Sequence, residues 1–464
     1  MVRKNAWEIY DDSEMQSVET FAAAYRAFLD GGKTERECVA EGVKEAQEKG
    51  FISLKDALAG GRRLQPGDRV YADWMGKSLM AFIVGKKPIS EGMNILGAHI
   101  DSPRVDVKQN PLYEDEGIAY LDTHYYGGIK KYQWVAQPMS LHGVIVRKDG
   151  SKVTLALGEE EGDPVFCFSD LLIHLAQDQM SKKASEAVEG ETLNLIVGGM
   201  QLKGEEKEAV KKGVLKILSE QYQVEEEDFL SAELEIVPAG KSRDLGFDRS
   251  MILGYGHDDR VCAYPSLRAV TDFEGTPDYT LCAILTDKEE IGSVGATGMN
   301  SNFFENTVAD LCSLIEENYS DLTLRRALRS SRMLSSDVSA GFDPNFASVF
   351  EKKNAAILGK GVCFNKFTGR GGKGGSNDAN AEYIAEIRRI MDGANVDFQT
   401  AELGRVDVGG GGTIAYMCAK YGMNVIDAGI AVLSMHAPYE IVAKCDLWEA
   451  YKGYCAFLRG AKPF

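Results

Sequence analysis

The sequence predicts an α/β protein in which one domain interrupts another. The chain has 464 residues with 44% hydrophobic content, which is enough for a large core and for two domains. Buried strands alternate with helices in residues 1–104 and 241–464, whereas residues 105–240 are rich in strand signals and lack this alternation. We therefore predict a discontinuous domain, 1–104 with 241–464, built on a mixed sheet flanked by helices. A β-rich domain is inserted at 105–240.

The first part of the chain predicts two helices followed by strands. Thr34 and Glu37 have the spacing of a capping box, which opens the second helix. The predicted elements are a helix over 14–29, a helix that ends at Gly50, a β-rich stretch over 69–85 and a buried strand over 93–98. This last strand leads directly into His99.

The inserted domain and the rest of the chain follow the same logic. In the inserted domain we expect strands around a turn at 148–150 and one helix near 205–223. The later elements are a helix over 261–273, a buried strand over 279–285, a helical stretch over 303–330, a helix over 378–392, a helix opened by the glycines 409–412 and a closing strand over 424–433.

Composition excludes several classes of partner. A net charge of -18 and a pI near 5.0 argue against nucleic acid and anionic membranes. The nine cysteines are scattered and never form a Cys-x-x-Cys pair, which is typical of buried thiols in a reducing compartment. The first residues become acidic too early for a secretory signal, and no apolar run reaches the ~20 residues of a membrane span. We therefore expect a cytoplasmic protein.

Histidine and acidic residues stand at the ends of predicted elements. They are His99, Asp258, Glu290, Asp337 and His436. Imidazole and carboxylate ligands without a thiolate suit zinc, cobalt or manganese, and two histidines with three carboxylates are enough for two ions that share one bridging carboxylate. The sequence therefore predicts a two-metal site at the sheet edge.

Neighbouring acids suggest further roles in this site. Asp101 stands two residues after His99, where its carboxylate can accept the ring N–H of that ligand. Of the tandem pair, Glu290 is the predicted ligand, and Glu289 is the predicted general base for hydrolysis of an amide by water. Asp258 and Asp259 are adjacent, and both remain candidates for the bridging carboxylate.

These motifs resemble those of the M18 metallo-aminopeptidases, the aspartyl aminopeptidase family, over nearly the whole chain. The motifs are His99-Ile-Asp-Ser-Pro-Arg, His257-Asp-Asp-Arg, Asp287-Lys-Glu-Glu-Ile-Gly-Ser, Ser335-Ser-Asp-Val and Ser434-Met-His. The resemblance implies a phosphorylase/hydrolase-like catalytic domain that acts on peptides, with an inserted dimerisation domain. It also implies dimers that assemble into a tetrahedral dodecamer.

The resemblance also implies residue roles. His99 and Asp337 would bind one metal ion, Glu290 and His436 the other, and Asp258 would bridge them. His174 aligns with a family histidine that reaches the active site of a neighbouring subunit; its alternative is a histidine packed within its own helix. Animal members carry Arg-Glu after the terminal histidine motif, whereas Tyr439 precedes Glu440 here. The sequence therefore predicts an aminopeptidase without fixing a preference for acidic N-terminal residues.

Two other functions compete with this interpretation. A related two-metal enzyme could remove acyl groups from N-acyl amino acids or act as a carboxypeptidase. A protein of this fold could instead serve in assembly without catalysis, but such a protein should have lost Glu289 or a metal ligand. This chain keeps all of them.

Overall fold

The computed structural model describes residues 4–463. The α-helices of this part of the chain are α1 (Asp12–Gly31), α2 (Glu35–Glu48), α3 (Leu54–Ala59), α4 (Gln177–Ser181), α5 (Ala209–Ile217), α6 (His257–Thr271), α7 (Phe303–Ile315), α8 (Asp321–Arg329), α9 (Ala381–Gly393), α10 (Ala415–Ala419) and α11 (Lys444–Gly460). Among these residues, no helix combines the length and the apolar content needed to cross a membrane.

The strands of the same residues form three sheets. They are β1 (Ile52–Ser53), β2 (Arg69–Trp74), β3 (Ser78–Ile83), β4 (Met93–His99), β5 (Arg104–Asp115), β6 (Ile118–Tyr126), β7 (Met139–Val146), β8 (Lys152–Leu157), β9 (Cys167–Phe168), β10 (Leu195–Gly198), β11 (Ala232–Pro238), β12 (Arg243–Leu245), β13 (Met251–Gly254), β14 (Thr280–Thr286), β15 (Arg332–Ser335), β16 (Ser339–Ala340), β17 (Val362–Asn365), β18 (Phe398–Thr400), β19 (Asn424–Gly429), β20 (Ala431–Leu433) and β21 (Glu440–Ala443). The predicted α/β class with a mixed sheet is confirmed.

The chain forms two compact units. The first consists of the residues up to Asp101, residues 243–435 and the residues from Glu440 onward. Its main sheet has nine strands in the order β1-β2-β3-β14-β4-β15-β19-β17-β18. At the centre, β14, β4, β15 and β19 are mutually parallel, while β2, β3 and β17 supply antiparallel pairings. A smaller sheet of this unit has the order β12-β13-β21-β20-β16.

Helices cover both faces of the nine-stranded sheet because its central strands are apolar on both sides. In β4, Leu96 packs into one core cluster with side chains of α1, α2, α6, α9 and α11. Its neighbour Ile95 points the other way, into a cluster with side chains of α3, α7, α8 and α10. This alternation has the period of two residues expected of a strand. The unit therefore has three layers, with the sheet in the middle and the candidate site residues at the ends of its strands.

The second unit comprises residues 102–242 and 436–439. Its sheet is antiparallel, in the order β8-β7-β11-β5-β6-β10-β9. The helix predicted near 205–223 is found as α5, which continues into a π-helical turn, Leu218–Tyr222.

Most elements predicted from the sequence are present, and the capping box is complete: the Thr34 side chain accepts from the Glu37 N–H, and the Glu37 side chain accepts from the Thr34 N–H. Two predictions were wrong in detail. The helical stretch over 303–330 is broken between α7 and α8, where Asn318 and Ser320 favour a turn over a helix. The closing strand over 424–433 is divided between two sheets, as β19 and β20. Helix α11 was not predicted.

Candidate metal centre

Three neighbouring strands deliver the candidate ligands to one edge of the sheet. β4 ends at His99, and β15 ends two residues before Asp337. β14 lies beside β4 and leads, after Asp287 and Lys288, into a 3-10 turn at Glu289–Ile291 that contains Glu290. Because parallel neighbouring strands end at the same edge, residues far apart in sequence meet there.

His99, Asp258 and Asp337 form a compact group. One ligand atom from each residue lies within 4.8 Å of the others. Nε2 of His99 is 3.1 Å from Oδ1 of Asp258. His99 and Asp258 are only 2% and 4% exposed, so these polar atoms have little access to solvent. A group of this composition and size can hold a divalent cation.

Asp258 enters the site from the first turn of α6, where the backbone is not helical. Its φ and ψ are -79° and 107°, and those of Asp259 are -116° and 25°. Asp259 is completely buried, and its Oδ2 accepts the backbone N–H of His99 at 3.3 Å. Of the two adjacent acids, Asp258 therefore stands in the candidate ligand group, and Asp259 contacts the backbone behind it.

The tandem glutamates lie beside this group. A carboxylate oxygen of Glu290 is within 4.8 Å of one from Asp258. Oε2 of Glu289 is 4.0 Å from Nε2 of His99. Burial, together with nearby carboxylates, raises the pKa of Glu289 to about 8. Both glutamates are partly buried, so they line the site without being sealed from it.

Asp101 connects the loop that follows His99 to the 3-10 turn Glu289–Ile291, called the glutamate turn below. Its Oδ1 accepts the backbone N–H of Glu289 at 3.1 Å, and its Oδ2 accepts that of Glu290 at 3.2 Å. Nδ1 of His99 is 2.9 Å from the backbone carbonyl oxygen of Asp101 and 3.3 Å from its carboxylate. The His99 ring N–H thus has a backbone acceptor as its nearest partner, while the carboxylate mainly fixes the two glutamates. Sequence reasoning did not predict this second role.

A glycine allows a further close approach at the same edge. A Cβ atom at Gly429, the last residue of β19, would lie 1.8 Å from the carbonyl oxygen of Asp337. Any side chain at this position would push the two strand ends apart. The position of Asp337 therefore depends on a residue that carries no chemistry of its own.

The charges in the site fit a bound cation. Burial raises the pKa of Asp337 and of Asp259 well above the usual range, and neighbouring carboxylates raise both further. Although burial opposes its protonation, hydrogen bonds to Asp101 and Asp258 raise the pKa of His99. So many acids crowded into a buried space repel one another unless protons or a cation compensate them. A donor set of imidazole and carboxylates with this excess of negative charge suits a divalent ion such as zinc.

His174 and His436 both belong to the second unit. His174 is exposed in a 3-10 turn, Ile173–Leu175. It is therefore not packed within its own helix, which was the alternative considered from the sequence. His436 follows β20, and its Nδ1 lies 2.8 Å from the carbonyl oxygen of Gly128. A ring that donates from Nδ1 presents a deprotonated Nε2, the form that binds metals. The roles of both histidines in the site remain predictions.

Sequence reasoning missed one residue that contacts the candidate site. Oε2 of Glu440 accepts the backbone N–H of Asp258 at 2.9 Å. Glu440 is 2% exposed and lies in β21, in a stretch where sequence reasoning considered only the missing arginine. No local pattern indicates a contact between residues 182 positions apart.

Comparison with known proteins identifies close relatives. The family model "Aminopeptidase I zinc metalloprotease (M18)" matches residues 28–458. A probable M18 family aminopeptidase 1 from Clostridium acetobutylicum is 58% identical over 456 residues, 98% of each chain. The crystal structure of an M18 aminopeptidase from Thermotoga maritima is 44% identical, has a TM-score of 0.94, and is matched over 99% of this chain and 100% of that one. The S. cerevisiae mApe1 dodecamer, 20% identical with a TM-score of 0.76 over 94% and 96% of the two chains, shares the fold.

Proposed function

This chain belongs to the M18 family and is a metallo-aminopeptidase, and from that premise we propose that it is a co-catalytic enzyme with two divalent ions. Zinc is the proposed metal, with cobalt or manganese as substitutes. The observation that carries the proposal is the position of Asp258. Its carboxylate lies within 4.8 Å of ligand atoms of His99 and Asp337. It also lies within 4.8 Å of a carboxylate oxygen of Glu290. A carboxylate shared in this way is what a bridged pair of ions requires.

In the proposed centre, His99 and Asp337 bind one ion, Glu290 and His436 bind the other, and Asp258 bridges them. The burial of Asp258 supports this assignment, because a buried carboxylate between two dications is compensated from both sides. Asp101 orients His99 and fixes the turn that carries Glu290. The arrangement therefore assigns each candidate ligand to a metal ion and Asp101 to the support of the ligands.

Glu289 is the proposed general base. A divalent ion in such a centre supplies Lewis acidity, which lowers the pKa of water toward ~7 and polarises the substrate carbonyl. Glu289 takes the proton from the attacking water and returns it to the leaving amine, so no covalent intermediate with the protein is needed. Its carboxylate lies next to His99, at the 4.0 Å given above, and its backbone is held by Asp101.

Positive charge is needed to keep Glu289 ionised. Burial raises its pKa to about 8, so without a compensating positive charge much of it would be protonated near neutral pH and unable to accept a proton. Two nearby dications favour the ionised carboxylate and lower this pKa. Metal binding would therefore prepare the base as well as the water.

The second unit is the proposed dimerisation domain, set into a phosphorylase/hydrolase-like catalytic domain. Leu171, Ile173 and Leu175 around His174 are 46%, 67% and 69% exposed, and apolar side chains clustered on a surface typically contact a partner. We propose that His174 reaches the active site of the partner subunit in a dimer. Dimers would then assemble into a tetrahedral dodecamer; the S. cerevisiae mApe1 structure, which shares the fold, is a dodecamer.

A panel of chromogenic amides tests the proposed activity. Free amino-terminal amides should be hydrolysed in the presence of zinc, cobalt or manganese, and their N-acetylated counterparts should not. The same panel should include acidic and apolar residues, because the sequence leaves a preference for acidic N-terminal residues open. Hydrolysis of the N-acetylated series would favour a deacylase and would contradict the aminopeptidase assignment.

A further inference from the structure

The backbone of Asp258 is held from a strand that supplies no predicted ligand. The carboxylate of Glu440 accepts the Asp258 N–H at 2.9 Å, as described above. Glu440 is the first residue of β21, and it pairs in register with Gly254, the last residue of β13. Gly254 in turn stands four residues before Asp258. The Glu440 acceptor therefore belongs to the same sheet as β13, the strand that leads into α6.

This contact satisfies an N–H group that the N-cap residue of α6 does not. The first N–H groups of a helix have no partner within the helix and are usually satisfied by the side chain of the N-cap residue. In α6 the N-cap is Gly256, which has no side chain to offer. Glu440 supplies an acceptor for the Asp258 N–H from another strand.

The residue before Asp258 is anchored as well. The hydroxyl of Tyr25 lies 2.7 Å from Nδ1 of His257, and both side chains are completely buried. Burial and then the charge of Glu440 raise the pKa of Tyr25, so the phenol stays protonated and donates this hydrogen bond. The chain is thus held at two neighbouring places, the His257 side chain and the Asp258 backbone N–H.

We propose that Glu440 is a positioning residue, which holds the backbone of Asp258 so that its carboxylate faces both metal ions. This inference rests on the proposed function, because it assumes that Asp258 bridges two ions. Asp258 itself has a non-helical backbone at the start of a helix, so its direction is not set by helix geometry. The hydrogen bond from Glu440 sets it instead. The length of the Glu440 side chain should then matter more than its charge.

Two substitutions separate length from charge. Glu440→Asp keeps the charge but shortens the side chain by one methylene, so the carboxylate no longer reaches the Asp258 N–H. Glu440→Gln keeps the reach and an acceptor oxygen but loses the charge. We expect Glu440→Asp to weaken zinc binding by about 10- to 100-fold, as for other supports of metal ligands. Glu440→Gln should stay within a few-fold of the wild type.

Glu449 provides the matched control. It is also a buried glutamate whose carboxylate accepts a backbone N–H, that of Asp397 at 2.8 Å, but it lies in α11 and contacts no candidate ligand. Glu449→Asp and Glu449→Gln should lower the thermal stability without changing zinc affinity. The visible spectrum of the cobalt-loaded protein gives a second readout, because it reports ligand geometry. We expect this spectrum to change in Glu440→Asp and to be unchanged in both Glu449 variants.

The outcomes distinguish this inference from the proposed function. Glu440→Asp with the zinc affinity and cobalt spectrum of the wild type would overturn the positioning role, whether or not its stability falls. An equal loss of affinity in Glu440→Gln would also overturn it, because charge alone would then explain the effect. If the wild type binds fewer than two zinc ions, or if Asp258→Asn retains two, the proposed function fails instead.

Discussion

Replacing Asp101 by asparagine should disable the site while leaving the fold intact. The carboxylate accepts two backbone N–H groups, those of Glu289 and Glu290, and lies 3.3 Å from Nδ1 of His99. An asparagine offers one acceptor oxygen and one amide nitrogen. Whichever way the amide turns, its N–H₂ group then faces a buried N–H donor. One turn residue, or both, must shift to relieve this contact.

The size of the effect follows from these contacts. A hydrogen bond to a charged group contributes about 1.5–3 kcal/mol, and a buried donor left without an acceptor costs about 1–3 kcal/mol more. The substitution removes one such bond and leaves one backbone N–H facing the amide N–H₂ group. The free-energy cost is roughly 3–5 kcal/mol. If this free energy acts on the geometry of the base and its neighbouring ligand, kcat/KM should fall by about 10²- to 10⁴-fold. Zinc affinity should fall by about 10- to 100-fold.

Asp446→Asn is the control for this experiment. Asp446 is equally buried, and its two carboxylate oxygens accept the backbone N–H groups of Gly359 and Gly361 at 2.8 and 2.7 Å. The same substitution there should lower the melting temperature but leave kcat/KM and zinc binding near the wild type. The assay is hydrolysis of a chromogenic amide at saturating zinc, with zinc affinity measured by chelator competition. If Asp101→Asn lost no more activity than Asp446→Asn, the role of Asp101 in fixing the turn that carries Glu289 and Glu290 would be refuted.

Three further predictions follow from the site, and a fourth concerns Asp427, a buried acid in β19. Glu289→Gln should retain both metal ions in elemental analysis and lose turnover by about 10²- to 10⁴-fold; near-normal turnover would remove Glu289 from its role. Asp258→Asn should lose metal from both positions, whereas Asp259→Asn should retain more of it, and the reverse order would move the bridge to Asp259. His174→Ala should lower turnover without releasing metal, and mixing it with His436→Ala should restore part of the activity through hybrid dimers; no recovery after confirmed subunit exchange would place His174 outside the partner site. Burial raises the pKa of Asp427 to about 7, so its contribution to the free energy of unfolding is present below about pH 4 and is lost as the pH rises to about 7; Asp427→Asn should flatten this decline in chemical denaturation, and an unchanged slope would contradict the shift.

The sequence predicted the ligand candidates because strand ends leave local signals. A buried apolar run that stops at His99, or two glutamates after such a run, can be recognised without knowing what lies beside them. The parallel pairing of β4, β14 and β15 then brings these ends together. Which of Asp258 and Asp259 faces the other candidate ligands needed the structure, because adjacent residues have the same sequence context and differ only in the direction of their side chains.

Contacts between distant segments could not be predicted in this way. Glu440 reaches Asp258 and Asp101 reaches the glutamate turn through backbone N–H groups, which are present at every residue except proline and leave no pattern in the sequence. The division of the closing strand had a similar cause. The apolar run over 424–433 continues through Ile430, and only the pairing of β19 and β20 in different sheets shows where one strand ends.

Anomalous diffraction at the zinc edge tests the central claim most directly. We expect two zinc peaks per chain, roughly 3.5–4 Å apart, with one carboxylate oxygen of Asp258 coordinating each ion. His99 and Asp337 should coordinate the first ion, and Glu290 and His436 the second. A single peak, or two peaks that Asp258 does not join, would contradict the account.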